Sequence, residues 1–392
     1  MPRKSLEAIV EPKVLKWARE SMGLDFKETA KRLKVVEDTV GKWESGQKKP
    51  TLIQLEKLAK IYKRPLAVFF LPEPPKEIPL PKDFRTLPMD NEKPFSLKTR
   101  LAIRRAQRLQ SLATDLAKSI NREIISQIGR AKLSDDPEVI AIRVRQQLGV
   151  EIQKQFSWKD ENKAFNDWKK TIENRGILVF QIGIPLKEAR GFSLAKGEIP
   201  AIVLNLHDST TGRIFSLFHE YAHLLLNESG ICDMEEINGF SGEARSIEKF
   251  CNHFAGAALV PKNALLDHQL IRSKEDSSPL PDEVLQELAK AFKVSQEVIL
   301  RRLLILGRST RDFYKRKREE WEAKVKRGEQ RQRKWGRINP PKKCIRENGV
   351  PFVSLVLDTH REGKITYSDV ADYLEIRLKH LPKIEQLVEG RV

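Results

Sequence analysis

IFSLFHEYAHLLLN, residues 214–227, sets two histidines four positions apart with a glutamate beside the first. On a helix of 3.6 residues per turn, His219 and His223 stand one above the other on a single face, so two imidazole nitrogens reach one ion at about 2.0–2.1 Å. Glu220 projects beside the first imidazole, where a carboxylate takes the proton of a water attacking a carbonyl. Phe215, Phe218, Ala222, Leu225 and Leu226 form an apolar stripe that buries this helix and opens its histidine face onto a cleft. With 7 histidines in 392 residues, a chance H-E-x-x-H is on the order of one in a hundred. The expectation is a metal-hydrolase site with Zn2+ as cofactor, His219 and His223 as ligands and Glu220 as general base.

A catalytic zinc needs a third protein ligand. The metzincin extension is absent, because Leu226 and Ser229 stand where its glycine and third histidine belong. A later helix, EARSIEKFCNHFAGAALVP (243–261), offers Glu248, 25 residues beyond His223. Glu248, Cys251, Asn252, Ala255 and Leu259 share one face of it, with small residues that let two helices approach closely. Glu248 is the leading third ligand, and Glu243, Cys251 and His253 stay open as alternatives. Cys251 would make a Cys/His2 site, and His253 lies about 140° round the helix from Glu248. Asn252, one turn past Glu248, suits a hydrogen bond to a liganding group.

The length suggests two to four domains, roughly 100–200 residues each. Lys and Arg number 72 against 54 Asp and Glu, a formal charge of +18, which favours phosphate or other acidic partners. Three cysteines (Cys232, Cys251, Cys344) and no C-x-x-C pair exclude a disulfide scaffold. Charges interrupt the N-terminus before any apolar signal segment forms, and no run reaches the roughly 18 apolar residues of a membrane span. The expectation is a soluble cytoplasmic protein with no membrane partner.

Along the chain, apolar residues recur at three and four through residues 13–71, the pattern of a small all-α bundle. Clustered prolines at 71–88 mark an extended connector. A helix with a cationic face follows at 96–120, and another at 135–150 with Pro137 in its first turn. Strands are expected at Ile177–Phe180 and at PAIVLNL (200–206). The latter would pair with an extended substrate were it a sheet edge. Helices resume near Thr211, near Ser241 and at 281–307, and no repeat of solenoid period is visible. The basic run 315–343, with Trp321 and Trp335, reads as a solvated helix or partly disordered connector before a small helical cap, and secondarily as a phosphate-binding segment.

RIFSLFHEYAHLLLN followed by EKFCNHFAGAALVP resembles the ImmA/IrrE metallopeptidase family over about residues 150–310. That family pairs an H-E-x-x-H helix with a later E-x-x-A-N-x-F-A-x-x-L-L-x-P helix, and Glu248, Asn252, Phe254, Ala255, Leu259 and Pro261 fall on the second pattern. Cys251 stands where the family usually has alanine. The resemblance implies a zinc peptidase whose relatives cleave helix-turn-helix repressors of mobile elements or stress genes, so a regulatory, repressor- or antitoxin-like protein is the expected substrate. Tyr221, His207 and Arg245 are candidates for stabilising the oxyanion.

FKETAKRLKVVEDTVGKWESGQKKPTL (26–52) resembles the XRE/Cro helix-turn-helix, through Ala30, Leu33, Val40, Trp43, Glu44, Gly46 and Pro50-Thr51. The resemblance implies a recognition helix at 36–44, double-stranded DNA as partner, and Thr39, Lys42, Gln47, Lys48 and Lys49 as DNA contacts. Glu37 and Asp38 depart from it. Carboxylates there repel phosphates unless one accepts from a cytosine amino group, although acids also suit a helix N-terminus. The same fold serves homodimerisation or recognition of another helix-turn-helix protein.

The expected architecture is α+β and multidomain: a helix-turn-helix bundle (1–72), a Pro-rich linker (73–95), a helical connector (96–150), a zincin-like metallopeptidase domain with a small sheet (151–308), and a basic connector with a C-terminal helical region (309–392). The alternative function is a DNA-binding transcriptional regulator whose metal domain is a sensor or structural relic.

Overall fold

The computed structural model describes residues 6–75, 82–83, 95–227, 230–232, 242–272, 280–326 and 339–390. The fold is α+β, and it divides into two compact units: Met1–Leu80 with Asn91–Arg104, and Pro81–Asp90 with Arg105–Val392.

In the first unit, α1 (Pro12–Ser21), α2 (Phe26–Leu33), α3 (Glu37–Glu44) and α4 (Leu52–Tyr62) enclose Leu15, Ala18, Ala30, Leu33, Val40, Trp43, Leu55, Leu58 and Tyr62. Side chains cap the starts of α2 and α4. The Asp25 carboxylate accepts from the Glu28 amide at 2.6 Å, and Thr51 and Gln54 form a reciprocal capping box. Between α2 and α3 the chain turns on Lys34 at φ 58°, and the Val35 amide donates to Ala30 O at 3.0 Å. Arg19 grips Glu44 with two bonds, 2.8 and 2.9 Å, tying α1 to the end of α3. A 3-10 turn at Leu66–Phe70 closes this unit. Leu97 and Leu101, in the first turns of α5 (Leu97–Ser119), pack on the same core.

The second unit is built on a sheet. Residues 82–83, in the expected extended connector, form β1 (Lys82–Asp83); the rest of 76–94 lies outside the described residues. After α6 (Pro137–Leu148), α7 (Ile152–Ser157) and α8 (Glu161–Glu173) come β2 (Leu178–Ile182), β3 (Gly191–Leu194) and β4 (Ala201–Asn205), then α9 (Thr210–Leu225) and β5 (Gly230–Cys232). The strand order is β1-β5-β3-β4-β2, with β2 parallel to β4 and β3 antiparallel to both β4 and β5. One expectation is corrected here. Strand β4 is flanked by β3 and β2, so its amides and carbonyls are already paired and an extended substrate cannot add to 200–206.

Helices cover both faces of β2. Val179 joins Ile202 and Leu204 in a core with Trp168 of α8 and Phe218 of α9, whose rings meet edge to face at 4.8 Å. Its neighbour Phe180 points the other way and meets Phe352 at 5.9 Å. The core continues through α10 (Gly242–Leu259), past the short α11 (Lys262–Leu266) and α12 (Gln269–Arg272), into α13 (Asp282–Phe292) and α14 (Gln296–Ile305). Of the basic run, residues up to 326 form α15 (Arg311–Lys326), which anchors on the core through buried Phe313 and half-buried Trp321. Trp335 lies outside the described residues. Helices α16 (Pro340–Asn348), α17 (Val350–Arg361), α18 (Tyr367–Leu374) and α19 (Leu381–Glu389) end the unit. Among the described residues, no helix is long and apolar enough to cross a membrane.

Candidate metal centre

Ser209 starts α9 by accepting from the Gly212 amide at 3.0 Å, and the helix is buried along nearly its whole length between the sheet and α10. Ala255, on the Glu248 face of α10, is small enough to let α10 lie close alongside α9. This approach brings together side chains 25 or more residues apart. His219 Nε2 stands 3.2 Å from His223 Nε2 and 3.3 Å from Glu248 Oε2, while His223 Nε2 stands 3.2 Å from Glu248 Oε1. All three residues are at most 1% exposed.

Those spacings fit a metal ion. Ligand atoms at neighbouring corners of a tetrahedron with bonds of 2.0–2.1 Å stand about 3.3–3.4 Å apart, and two imidazoles with one carboxylate are a donor set such ions accept. Among the described residues these three form the one cluster able to hold a metal. Asn252 supports it: its Oδ1 lies 3.1 Å from His219 Nδ1. As acceptor it takes the Nδ1 proton, which leaves the Nε2 lone pair facing the cluster. The charges agree with this arrangement. Burial alone would lower the His219 pKa, but the Glu248 carboxylate outweighs it and the net shift is upward. Burial pushes the Glu248 carboxyl up, and the two histidines overcome it, holding that group well below the usual carboxylate range. The centre therefore attracts positive charge.

Glu220 is 1% exposed and lies against β3. A Cβ on Gly191 would stand 3.3 Å from Glu220 Cγ and Oε1 and 2.9 Å from the Val203 carbonyl oxygen. Gly191 is thus part of the site's wall, and the sequence reading missed it. Its only local signal is a glycine opening the short segment GFSL, which does not show which helix packs over it.

The rival ligands are accounted for. His253 donates from Nε2 to Glu138 at 2.7 Å, away from the cluster, and Glu243 is exposed. Cys251 is buried beside it, and burial, with Glu248 and Glu220 nearby, pushes its thiol well above the ordinary range and so disfavours the liganding thiolate. Of the oxyanion candidates, Tyr221 is overturned. It lies about 200° round α9 from His219, stacks on Phe254 at 6.3 Å and is fully buried in the core, where burial raises its pKa to about 12. The His207 ring packs over Gly183. Arg245 is exposed one turn before Glu248 on the same side of α10.

In the first unit Lys42, Gln47, Lys48 and Lys49 are exposed and Thr39 is half-buried. Lys42 is engaged by Asp38 at 2.5 Å, so one of the acids that departs from the helix-turn-helix pattern neutralises a candidate DNA contact.

Comparison with known families agrees with this division. Residues 15–69 match the helix-turn-helix family, and residues 172–304 match the IrrE N-terminal-like domain of Peptidase M78, a family that implies a metal cofactor. No curated protein matches the chain. The chain therefore joins a helix-turn-helix domain of the XRE type at its N-terminus to a metallopeptidase-like domain of the ImmA/IrrE family that carries the buried His-His-Glu centre.

Proposed function

We propose that the chain is a zinc-dependent endopeptidase acting on a regulatory protein, with His219, His223 and Glu248 as ligands and Glu220 as general base. The single observation that carries the reading is the convergence of both imidazole Nε2 atoms on the Glu248 carboxylate while Asn252 holds the His219 tautomer. Zinc, when bound, supplies a Lewis acid that polarises the scissile carbonyl and acidifies water. The protein's own groups do the rest. A Glu220 carboxylate oxygen takes the proton of the attacking water and returns it to the leaving amine nitrogen. Gly191 keeps Glu220 in place by leaving room for it, and the buried walls of α9 and β3 exclude bulk water. Arg245, on the Glu248 side of α10, is a cation available to the oxyanion.

The fused helix-turn-helix domain supports a repressor- or antitoxin-like substrate, because it brings the peptidase to the proteins or DNA such a fold binds. We place the functional parts at 1–72 for that domain, 73–95 for the linker, 96–150 for the connector, 151–308 for the peptidase and 309–392 for the C-terminal region. The same family match favours a second reading, a DNA-binding regulator whose metal centre is a sensor or relic.

One experiment separates the two. Full-length protein carrying Glu220→Gln is expressed in its own host, its zinc is measured, and co-purifying proteins are compared with wild type. The peptidase reading expects zinc retained, an intact partner captured by the variant, and that partner cleaved by wild type. Zinc lost only in His223→Ala, with the partner equally intact in every case, would leave the regulator.

A further inference from the structure

Glu220 lies against β3, so a peptide it serves has to come beside that strand. A general base works within about 2.6–3.2 Å of the group whose proton it takes. The attacking water stands about 3–3.5 Å from the carbonyl carbon. The scissile bond therefore sits within roughly 6–7 Å of the Glu220 carboxylate. Glu220 Oε1 is itself only 3.3 Å from the place a Cβ on Gly191 would take. A substrate meeting this demand runs alongside Gly191.

The strand order β1-β5-β3-β4-β2 puts β3 in the middle of the sheet. Among the described residues β1 and β2 end the sheet, and neither outer edge can serve the centre. Strands lie about 4.8 Å apart, so a chain added outside β1 or β2 would stand about 14 Å from β3. The two edges of β3 itself are taken. On one side β4 pairs with it from Gly191 to Leu194 and is bonded beyond to β2 from Ala201 to Asn205. On the other side β5 is antiparallel to it and meets it at Gly191 with Cys232 and Phe192 with Ile231. The backbone of Cys232 thus stands one strand spacing from Gly191, in the place a substrate peptide has to occupy.

Strand β5 is held from outside as well. Lys82 pairs with Gly230 and Asp83 with Ile231, and Pro81–Asp90 belongs to the same compact unit as the metal centre. The result is a closed site. His219, Glu220, His223 and Glu248 are at most 1% exposed, and no peptide bond can reach them in this conformation.

We propose that Gly230–Cys232 is an intrinsic strap on the peptidase. It fills the β3 edge that an extended substrate segment must take, Lys82–Asp83 holds it there, and the enzyme is latent until the strap is displaced. Between the two neighbours of β3, β5 is the one able to leave, because β4 is bonded along its whole length on both sides. Latency rests on the peptidase reading above; the occupied edge rests on strand pairing alone. A substrate that displaces the strap has to offer free backbone amides and carbonyls in extended form. It is an unfolded or locally unwound stretch of protein, since helical backbone is already paired with itself.

The test loosens the strap. Ile231 is in register with Phe192 on one side and Asp83 on the other, so Ile231→Pro takes an amide out of these ladders. Full-length wild type and variant are loaded with zinc and mixed with excess EDTA, and zinc release is timed. Hydrogen exchange of the β3 amides that face β5 is followed alongside. Ile231→Pro should release zinc about tenfold faster or more, and those amides should exchange faster by a similar factor, with β2 unchanged. Its kcat/KM on the protein trapped by Glu220→Gln should rise about tenfold.

Unchanged zinc release and exchange would overturn the strap. So would slower cleavage by Ile231→Pro than by wild type, which would make β5 a permanent part of the substrate platform. If zinc release and exchange respond as expected and neither protein cleaves anything, the peptidase reading fails and the occupied edge stands. If the centre takes up no zinc, exchange of the β3 amides alone decides the strap. Should Ile231→Pro not fold, Lys82→Pro/Asp83→Pro, which leaves β3 and β5 intact, is read in the same way, with about a threefold rise expected.

Discussion

Gly191 shows how much one side chain, or its lack, decides. An alanine there would put a methyl 2.9 Å from the Val203 carbonyl oxygen, a backbone atom of the neighbouring strand, and 3.3 Å from Glu220. The carbonyl cannot yield without moving β4, so β3 shifts and Glu220 is pushed from its seat. Gly191→Ala should cost about 1–3 kcal/mol in stability, the usual range for an overpacked core. Cleavage should fall at least tenfold while bound zinc is unchanged, because Glu220 is not among the ligands. Zinc content and turnover of the trapped partner measure it, and full activity in a correctly folded variant would remove Gly191 from the site. At this scale His219, Glu220 and His223 were legible because a helix of known pitch relates them. Gly191 was not, since nothing local to ARGFSL says which helix lies over it.

At the scale of elements, α6, α10 and α14 are held by one carboxylate. Glu138 accepts from Arg302 Nη2 at 2.5 Å, from Arg302 Nη1, and from His253 Nε2 at 2.7 Å. Burial would raise its pKa, but the bonds from His253 and Arg302 outweigh that and depress it from 4.5 to about 2. A depressed folded-state pKa contributes stability that is complete above about 4.5 and is lost as pH falls toward 2. Glu138→Gln should therefore cost about 2–3 kcal/mol at neutral pH, somewhat less than a fully buried pair because Glu138 is 24% exposed. The deficit should shrink as pH falls through 4 in denaturant titrations, and a deficit independent of pH would contradict the assignment. Helix α9 and strand β2 were readable from their periods. The short β3 and β5 were not, for four residues of GFSL and three of GIC carry too little alternation. Nor could PAIVLNL reveal that it would lie inside the sheet, since strand order is set by pairing across long stretches of chain.

For the molecule as a whole, the metal centre lies in the second unit, inside a core of dozens of apolar side chains, so that unit should fold without metal and gain from binding it. Free zinc at a thousand times Kd contributes about 4 kcal/mol, which in a unit of this size is worth roughly 8 °C in Tm. Chelation should lower the Tm of that unit by such an amount and leave the helix-turn-helix unit's transition in place; calorimetry with and without chelator measures it. An unchanged Tm would mean that the centre holds no resident ion. The amino-acid sequence by itself determined the helices, the pairing of His219 with His223, the acid beside them and the N-terminal helix-turn-helix, because each is written within a few turns of one period. Only the tertiary structure decided that Glu248 faces both imidazoles, that Tyr221 turns into the core and that β4 is enclosed. Those outcomes depend on which distant segments pack together, and a side chain's surroundings are created by that packing rather than by its neighbours along the chain.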